Sequence, residues 1–300
     1  MMFYYWLFSL YAFCFGAAVA SFLNVCIWRI PREESVVRPP SHCPKCNAPI
    51  RWYQNIPILS WLALRGRCAN CREPISPRYI GVETLGGVLF LLVFLQWATP
   101  FFVGGMPPLG LVGVRNVLMV PVGWYAVANL IFGSFVDYDH QWIPDRVTIG
   151  GMIAGVLFSV FVPEMHAFEI FFFSRGELTW RCSLMWSLAG MAFGFGTLWL
   201  LGEIFSRIFK KDAMGFGDVK LIGAVGAFFG PVAVLFTLFA SAVVGSVVGV
   251  AMIWRGRARL GGFTAIPYGP YLAFGALLWL FWGPRIALWY LGLLMPAAAA

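Results

Sequence analysis

Long apolar stretches recur along most of the chain, and shorter polar segments separate them. An α-helix needs about 20 apolar residues to cross the hydrocarbon core of a bilayer, and most of these stretches approach or exceed that length. The pattern predicts about eight transmembrane helices, at residues 3–28, 80–97, 113–136, 147–163, 183–202, 219–230, 232–254 and 266–294. The stretch 219–230 is short for a complete span, so we expect a broken or re-entrant helix there.

The composition agrees with this pattern. The chain has 300 residues, of which 60% are hydrophobic and 11% are charged. An average soluble domain is about 25% charged, so these few charges could not cover a globule of this size in water. A soluble globular domain, a disordered protein and a disulfide-stapled secreted module are therefore excluded. We expect an all-α polytopic membrane protein, because helices satisfy their own backbone hydrogen bonds within lipid.

The positive charges follow the predicted topology. If the N-terminus lies outside, 17 of the 21 Lys and Arg residues fall in segments predicted to be cytoplasmic. Those segments are 29–79, 137–146, 203–218 and 255–265, with Lys220 just beyond. This distribution obeys the positive-inside rule of membrane proteins. The net charge of +8 is thus explained by topology. We expect membrane lipids as partners and no nucleic acid.

Three regions follow from this layout. Basic residues come after the stretch 3–28 and not before it, which is unlike a cleaved signal peptide and predicts an uncleaved first helix. Residues 29–79 are polar and hold nine Lys and Arg residues and four of the seven cysteines. We therefore expect a first transmembrane helix at 1–28, a cytoplasmic loop at 29–79 and a transmembrane core at 80–300.

The cysteines of the loop form two CxxC pairs separated by 21 residues, Cys43 with Cys46 and Cys68 with Cys71. Four thiolates at this spacing can close a tetrahedral zinc site. Four sulfur ligands leave no open position for water, so such a site is structural. The alternative is a set of free thiols or a redox pair, although a thioredoxin-like motif would need a soluble βαβ unit that this sequence lacks.

The acidic residues are unevenly placed. Asp137, Asp139 and Asp145 follow the third predicted span at its inner end. Asp218 lies between two glycines and an apolar stretch, at the inner start of the sixth. An acid at the edge of the hydrocarbon is costly and marks a candidate functional site. The alternative is that these are ordinary interfacial loop charges, which applies more to Asp139 and Asp145 than to Asp218.

These acids allow several kinds of chemistry. Two carboxylates brought together at a membrane face can share one proton, as in aspartic proteases. A second interpretation uses Asp137, Asp139 and His140 as ligands for a divalent cation in a lipid-linked transferase. A third is a transporter or scaffold with acids in a polar cavity. Spacing alone does not choose between them.

Several segments together resemble the bacterial type IV prepilin peptidases, which are leader peptidases and N-methyltransferases. The resembling segments are 20–31 (Ala-Ser-Phe-Leu-Asn-Val-Cys-Ile-Trp-Arg-Ile-Pro), the paired CxxC loop, 80–83 (Ile-Gly-Val-Glu), 137–145 (Asp-Tyr-Asp-His-Gln-Trp-Ile-Pro-Asp), 215–220 (Gly-Phe-Gly-Asp-Val-Lys) and 266–270 (Ile-Pro-Tyr-Gly-Pro). They occur in the family's order and extend over most of the chain. The Gly-x-Gly-Asp motif alone also occurs in presenilin-type proteases, so the combination with the cysteine loop is the specific signal.

The resemblance implies an intramembrane aspartic protease whose catalytic aspartates are Asp137 and Asp218, with Asp139 as the alternative for the first. It implies cleavage of a short leader from pilin-like precursors at the cytoplasmic face of the bacterial inner membrane. It also implies N-methylation of the new N-terminus with S-adenosylmethionine, for which no binding motif is visible. A peptidase that lacks the methyltransferase activity is the nearest alternative.

Overall fold

Outside the loop that holds the CxxC pairs, the described residues of the chain are almost all helical. The computed structural model describes residues 2–99, 117–174, 177–210, 214–255 and 267–294. Its helices are α1 (Met2–Arg29), α2 (Leu59–Ala63), α3 (Arg78–Thr99), α4 (Met119–His140), α5 (Asp145–Phe161), α6 (Ala167–Glu169), α7 (Trp180–Phe209), α8 (Phe216–Trp254) and α9 (Gly269–Leu294). Two isolated bridges in the cysteine loop are the only β-pairing among these residues. The predicted all-α membrane fold is therefore confirmed.

The number of spans is close to the predicted number. Among the described residues, six helices are long and apolar enough to cross a membrane, and a bent pair makes a seventh. This count is lower than the predicted eight because the two predicted spans 219–230 and 232–254 are counted together in one helical element, α8, which breaks at Gly230. Helix α7 is longer than the predicted span 183–202, so much of the predicted loop 203–218 is helical. Parts of the predicted segments 113–136, 255–265 and 266–294 lie outside the described residues.

Helix α8 reverses direction inside its length. Gly230 has φ 81° and ψ 176°, a conformation open only to glycine, and Pro231 follows it. A Cβ placed on Gly194 of α7 would lie 2.6 Å from the carbonyl oxygen of Ile222 and 3.1 Å from Val234 Cγ2. Twelve residues of straight helix would separate Ile222 and Val234 by about 18 Å. The two halves of α8 therefore fold back on each other, which fulfils the prediction of a broken helix.

A second bend follows α5. The segment Pro163–Ser174 turns by 106° from α5 and contains α6. Residues 164–182 lie between two predicted spans, and several of their side chains are buried. His166 shares a hydrogen bond of 2.9 Å with Ser183, and Glu169 lies against Gly230 at the reversal of α8. Because many side chains of this bent segment are apolar, the segment packs against neighbouring helices.

The chain divides into two compact units. The first comprises Met1–Gly105 and Gly123–Phe132, and the second comprises Met106–Val122 and Gly133–Ala300. In the first unit, α3 packs along α1, and the rings of Phe90 and Trp124 stack with centroids 5.3 Å apart. The indole N–H of Trp124 also donates to the carbonyl oxygen of Phe90 over 2.9 Å.

The second unit is built around the first half of α8. Nearly every residue from Asp218 to Phe228 is buried there, and glycines of α5 and α7 pack directly against this segment. A helix that is apolar on all sides is expected in the interior of a bundle. The close approach of α7 depends on Gly190 facing Gly226, where a Cβ on either residue would overlap the other backbone. Asp218 begins this central half-helix, so the packing fixes its position.

Candidate active site and metal centre

Asp137 lies in the last turn of α4, and its side chain is 5% exposed. Its Oδ2 accepts a hydrogen bond of 2.8 Å from the backbone N–H of Gly269, the first residue of α9. The first N–H groups of a helix have no partner within that helix, so a carboxylate there satisfies one of them. The carboxyl group of Asp137 is thereby held at the start of α9.

Asp218 occupies the first turn of α8 and is 9% exposed. Its backbone N–H donates to the carbonyl oxygen of Gly215 over 3.1 Å, which begins the helix. Its Oδ1 is buried and has no hydrogen-bond partner among the described residues. A buried polar atom left without a partner is costly and often marks a functional position.

The two buried carboxyl groups belong to one site. They interact electrostatically with each other, and Asp218 also interacts with the hydroxyl of Tyr268. The end of α4 and the starts of α8 and α9 therefore meet within the second unit. Two acids 81 positions apart in sequence are thus brought together, as the dyad hypothesis requires.

The other candidate acids lie outside this pair. Asp139 is exposed, although it follows Asp137 by only two residues. Asp145 is also exposed and forms an ion pair with Lys220 of α8. Sequence reasoning counted Lys220 only as a positive charge. Lys220 follows Asp218 by only two residues. This spacing could have indicated that the start of α8 points an acidic and a basic side chain in different directions.

The four cysteines of the two CxxC pairs converge in the first unit. Their Sγ atoms all lie within 4.8 Å of one another, and the Sγ atoms of Cys43 and Cys71 are 3.9 Å apart. Zn–S bonds of about 2.3 Å in a tetrahedron place sulfurs roughly 3.8 Å apart. The cluster therefore fits a tetrahedral metal ion. It is the only such group of ligands among the described residues.

Hydrogen bonds prepare two of these thiols for metal binding. The Asn70 amide donates to Sγ of Cys46 over 3.5 Å and, with the backbone at Ala48, lowers the pKa of that thiol to about 6. Backbone hydrogen bonds from Cys71 and Asn70 lower the pKa of Cys68. At Cys71 the backbone bond at Glu73 also lowers the pKa, but desolvation and the neighbouring thiols outweigh it and raise the value to about 12. A bound cation would replace the proton that Cys71 holds.

The two halves of the cysteine loop repeat each other at an offset of 25 residues. The backbone N–H of Cys43 donates to Ala48 over 3.0 Å, and that of Cys68 donates to Glu73 over 2.9 Å. The bridge between His42 and Pro49 matches the bridge between Arg67 and Pro74. The left-handed residues Asn47 (φ 55°) and Arg72 (φ 64°) also correspond. Sequence reasoning missed this repeat, although the shared pattern Cys-x-x-Cys-x-x-Pro-Ile reveals it.

The helical fold and the paired buried carboxyls define a polytopic membrane protein with a candidate aspartate site and a separate four-cysteine centre. Comparison with known families agrees with both parts. The bacterial peptidase A24 N-terminal domain matches residues 14–97, which contain the four cysteines. The type IV leader peptidase family matches residues 124–250, which contain both aspartates.

Similar proteins extend over nearly the whole chain. The prepilin leader peptidase/N-methyltransferase of Myxococcus xanthus is 36% identical, over 97% of this chain and 77% of its own length. The proteins of the same name from Aeromonas hydrophila and Stutzerimonas stutzeri are each 33% identical, over 95% of this chain and 94% of their own lengths. No solved structure matches. The chain therefore belongs to the type IV leader peptidase family.

Proposed function

We propose that Asp137 and Asp218 are the catalytic pair of this peptidase, a prepilin leader peptidase/N-methyltransferase of the inner membrane. The observation that carries the proposal is the burial of both carboxyl groups, which interact electrostatically where α4 ends and α8 begins. Two buried carboxyls that repel each other when both are charged favour a state with one shared proton.

The shared proton explains how the pair hydrolyses a peptide bond. One carboxylate takes a proton from a water molecule while the other donates its proton to the carbonyl oxygen of the scissile bond. The water oxygen bonds to the carbonyl carbon, which becomes tetrahedral. The C–N bond then breaks as one carboxyl gives its proton to the leaving amine, and the carbonyl re-forms as a hydroxyl of the tetrahedral carbon returns its proton to the other carboxylate. One proton remains on the pair, so the next cycle can begin.

The substrates are precursors of pilin-like proteins, whose leader is removed at the cytoplasmic face. The basic character of the segments predicted to be cytoplasmic supports that orientation, since residues 29–79 and 203–210 carry most of their charge as Lys and Arg. The division into a first helix at 1–28, a cysteine loop at 29–79 and a peptidase core at 80–300 belongs to the same proposal.

Cys43, Cys46, Cys68 and Cys71 hold one structural zinc ion in this proposal. The sulfur separations and the lowered pKa of Cys46 support zinc there. Four sulfur ligands leave no position for a reacting water, so the ion stabilises the loop. S-adenosylmethionine supplies the methyl group of the second activity, and we assign no residue to it.

The structure disfavours the metal-dependent transferase. Asp139 is exposed beside the buried Asp137, and the described residues contain no acidic cluster spaced to hold a cation. The named relatives are enzymes, which also disfavours a transporter.

The proposal is tested by incubating the purified enzyme in detergent with a pilin-like precursor, with and without S-adenosylmethionine. Intact-mass spectrometry separates the uncleaved, cleaved, and cleaved and methylated chains. We expect cleavage in both samples and a methylated N-terminus only with the methyl donor. Cleavage without methylation would indicate a peptidase that lacks methyltransferase activity. An unchanged precursor would contradict the proposal.

A further inference from the structure

The first turn of α9, together with Tyr268 just before it, contacts Asp137 through groups that the proposed catalytic pair does not use. The carbonyl oxygen of Tyr268 accepts the N–H groups of Tyr271 and Leu272 over 3.0 and 3.2 Å. Tyr268 is therefore the N-cap residue of α9, and Gly269 is its first helical residue. The N–H of Gly269 is left free by the helix, and it donates to Asp137.

Gly269 lies too close to Asp137 to carry a side chain. A Cβ placed on it would lie 2.8 Å from Asp137 Oδ2 and 3.2 Å from Asp137 Cβ. Real Cβ atoms do not approach buried oxygens so closely without a shift of the backbone or the acid. The contact explains why this position is a glycine, and it makes the Asp137 orientation sensitive to the path of the turn.

The path of the turn is itself fixed by a hydroxyl chain. Ser241 Oγ donates to the carbonyl oxygen of Leu238 over 2.9 Å, which uses its single proton. The hydrogen bond of 2.8 Å between Ser241 and the Tyr268 hydroxyl therefore has tyrosine as donor and serine as acceptor. Ser241 is fully buried in the second half of α8. Tyr268 is thus tied to a rigid helix on one side of Gly269.

We propose that Tyr268, Ser241 and Gly269 are positioning residues for Asp137. The hydroxyl bond fixes the turn, the turn aims the Gly269 N–H, and that N–H sets the orientation of the Asp137 carboxylate. None of the three residues touches the reacting atoms in this proposal. The inference rests on the proposed function, since it explains how the carboxylate of Asp137, one member of the proposed catalytic pair, is oriented.

The test compares kcat and KM of variants that remove one link at a time. A neutral hydrogen bond is worth about 1 kcal/mol, so Tyr268→Phe and Ser241→Ala should each lower kcat roughly fivefold while KM stays unchanged. The double variant should be no slower than either single variant, because both remove the same bond. Ser241→Thr keeps a hydroxyl and should restore most of the rate. Gly269→Ala should lower kcat at least about 100-fold.

Tyr290→Phe is the matched control, because it removes an exposed hydroxyl from the same helix α9. It should leave kcat unchanged. Thermal unfolding in detergent confirms that each variant is folded. Full kcat in Tyr268→Phe, or additive losses in the double variant, would overturn the inference. Asp137→Asn is measured in parallel: if it cleaves normally, the proposed function itself fails, whereas its inactivity beside a fully active Tyr268→Phe rejects only the positioning role.

Discussion

Asp137 and Asp139 show how strongly position on a helix decides the role of a residue. Two residues of α-helix rotate the side-chain direction by about 200°, so the two acids point to nearly opposite sides of α4. One is buried at the start of α9, and the other is exposed. The sequence motif alone leaves this choice open, and helical geometry favours Asp137 as the acid of the site.

The first prediction tests that choice. Asp137→Asn and Asp218→Asn should each abolish cleavage of a precursor, because an amide can neither take nor give the required proton. Protein yield and metal content should persist in both. Asp139→Asn is the matched control and should cleave at near the normal rate, as followed by gel shift. An active Asp218→Asn would rule out the dyad, and an inactive Asp139→Asn beside an active Asp137→Asn would move the first catalytic acid by two residues.

At the scale of elements, the cysteine loop is two matching halves that share one cluster. Neither half has an apolar core of its own, and its strand pairing is limited to one bridge per half. Metal binding can supply the folding free energy that such a segment lacks. The loop between α1 and α3 is therefore expected to depend on its metal, while the helices depend on packing.

The second prediction concerns that metal. Purified protein should carry about one zinc ion per chain, and replacing any one of the four clustered cysteines by Ser should lower the zinc content and expose the loop to protease. Cys14→Ser is the control, because Cys14 is exposed on α1 and lies outside the cluster. If elemental analysis finds no zinc in freshly reduced protein, the assignment of a zinc site to the four cysteines is wrong.

The third prediction concerns the reversal of α8. Gly230→Ala should destabilise the fold by about 2 kcal/mol or more, since it forces a left-handed residue and drives a Cβ into the Glu169 carboxyl group. Gly249→Ala lies in the same element with open space around its Cβ. It should stabilise α8 by about 0.5–1 kcal/mol, because alanine favours the helix. Unfolding in mixed micelles compares the two, and equal shifts would contradict the reversal.

At the scale of the whole molecule, the two candidate centres lie in different units of the chain. The aspartates belong to the second unit and the four cysteines to the first. In the proposed mechanism, hydrolysis requires only the two aspartates and a water molecule. Methyl transfer requires a pocket for S-adenosylmethionine, and the loop 29–79 is the longest non-membrane segment in our span assignment. The two activities are therefore expected to respond differently to substitutions in each unit.

The fourth prediction separates them. Replacing Cys43 and Cys46 together by Ser should reduce N-methylation more than cleavage, because the loop loses its metal. Asp218→Asn should still methylate a pilin supplied without its leader. Mass spectrometry of the products reads both activities in one sample. If the cysteine variant loses cleavage and methylation equally, the loop is a scaffold for the whole protein. If Asp218→Asn is folded but does not methylate, the sites of the two activities must overlap.

The sequence predicts much of this molecule because hydrophobic length and metal-ligand spacing are local signals. The spans, the four cysteines and the two aspartates can be read from short windows. The contact of Gly269 with Asp137 joins residues 132 positions apart, and no local pattern encodes it. The fold-back at Gly230 was suggested only by a short apolar stretch. The burial of His166 and Glu169, which lie between two predicted spans, depends on contacts with Ser183 and Gly230 that no local pattern encodes.

The matching halves of the cysteine loop have a consequence for how such a centre can be assembled. Each half supplies two sulfurs from one Cys-x-x-Cys turn with the same backbone pairing, so the metal should accept two copies of a single half. A synthetic peptide of residues 66–77 should therefore dimerise around Co²⁺ and show a tetrahedral thiolate absorption spectrum that saturates at two peptides per ion. Affinity should fall relative to the intact loop, because the linker no longer raises the effective concentration of the second half. Such stoichiometry would show that one half of the loop is by itself a complete two-sulfur donor.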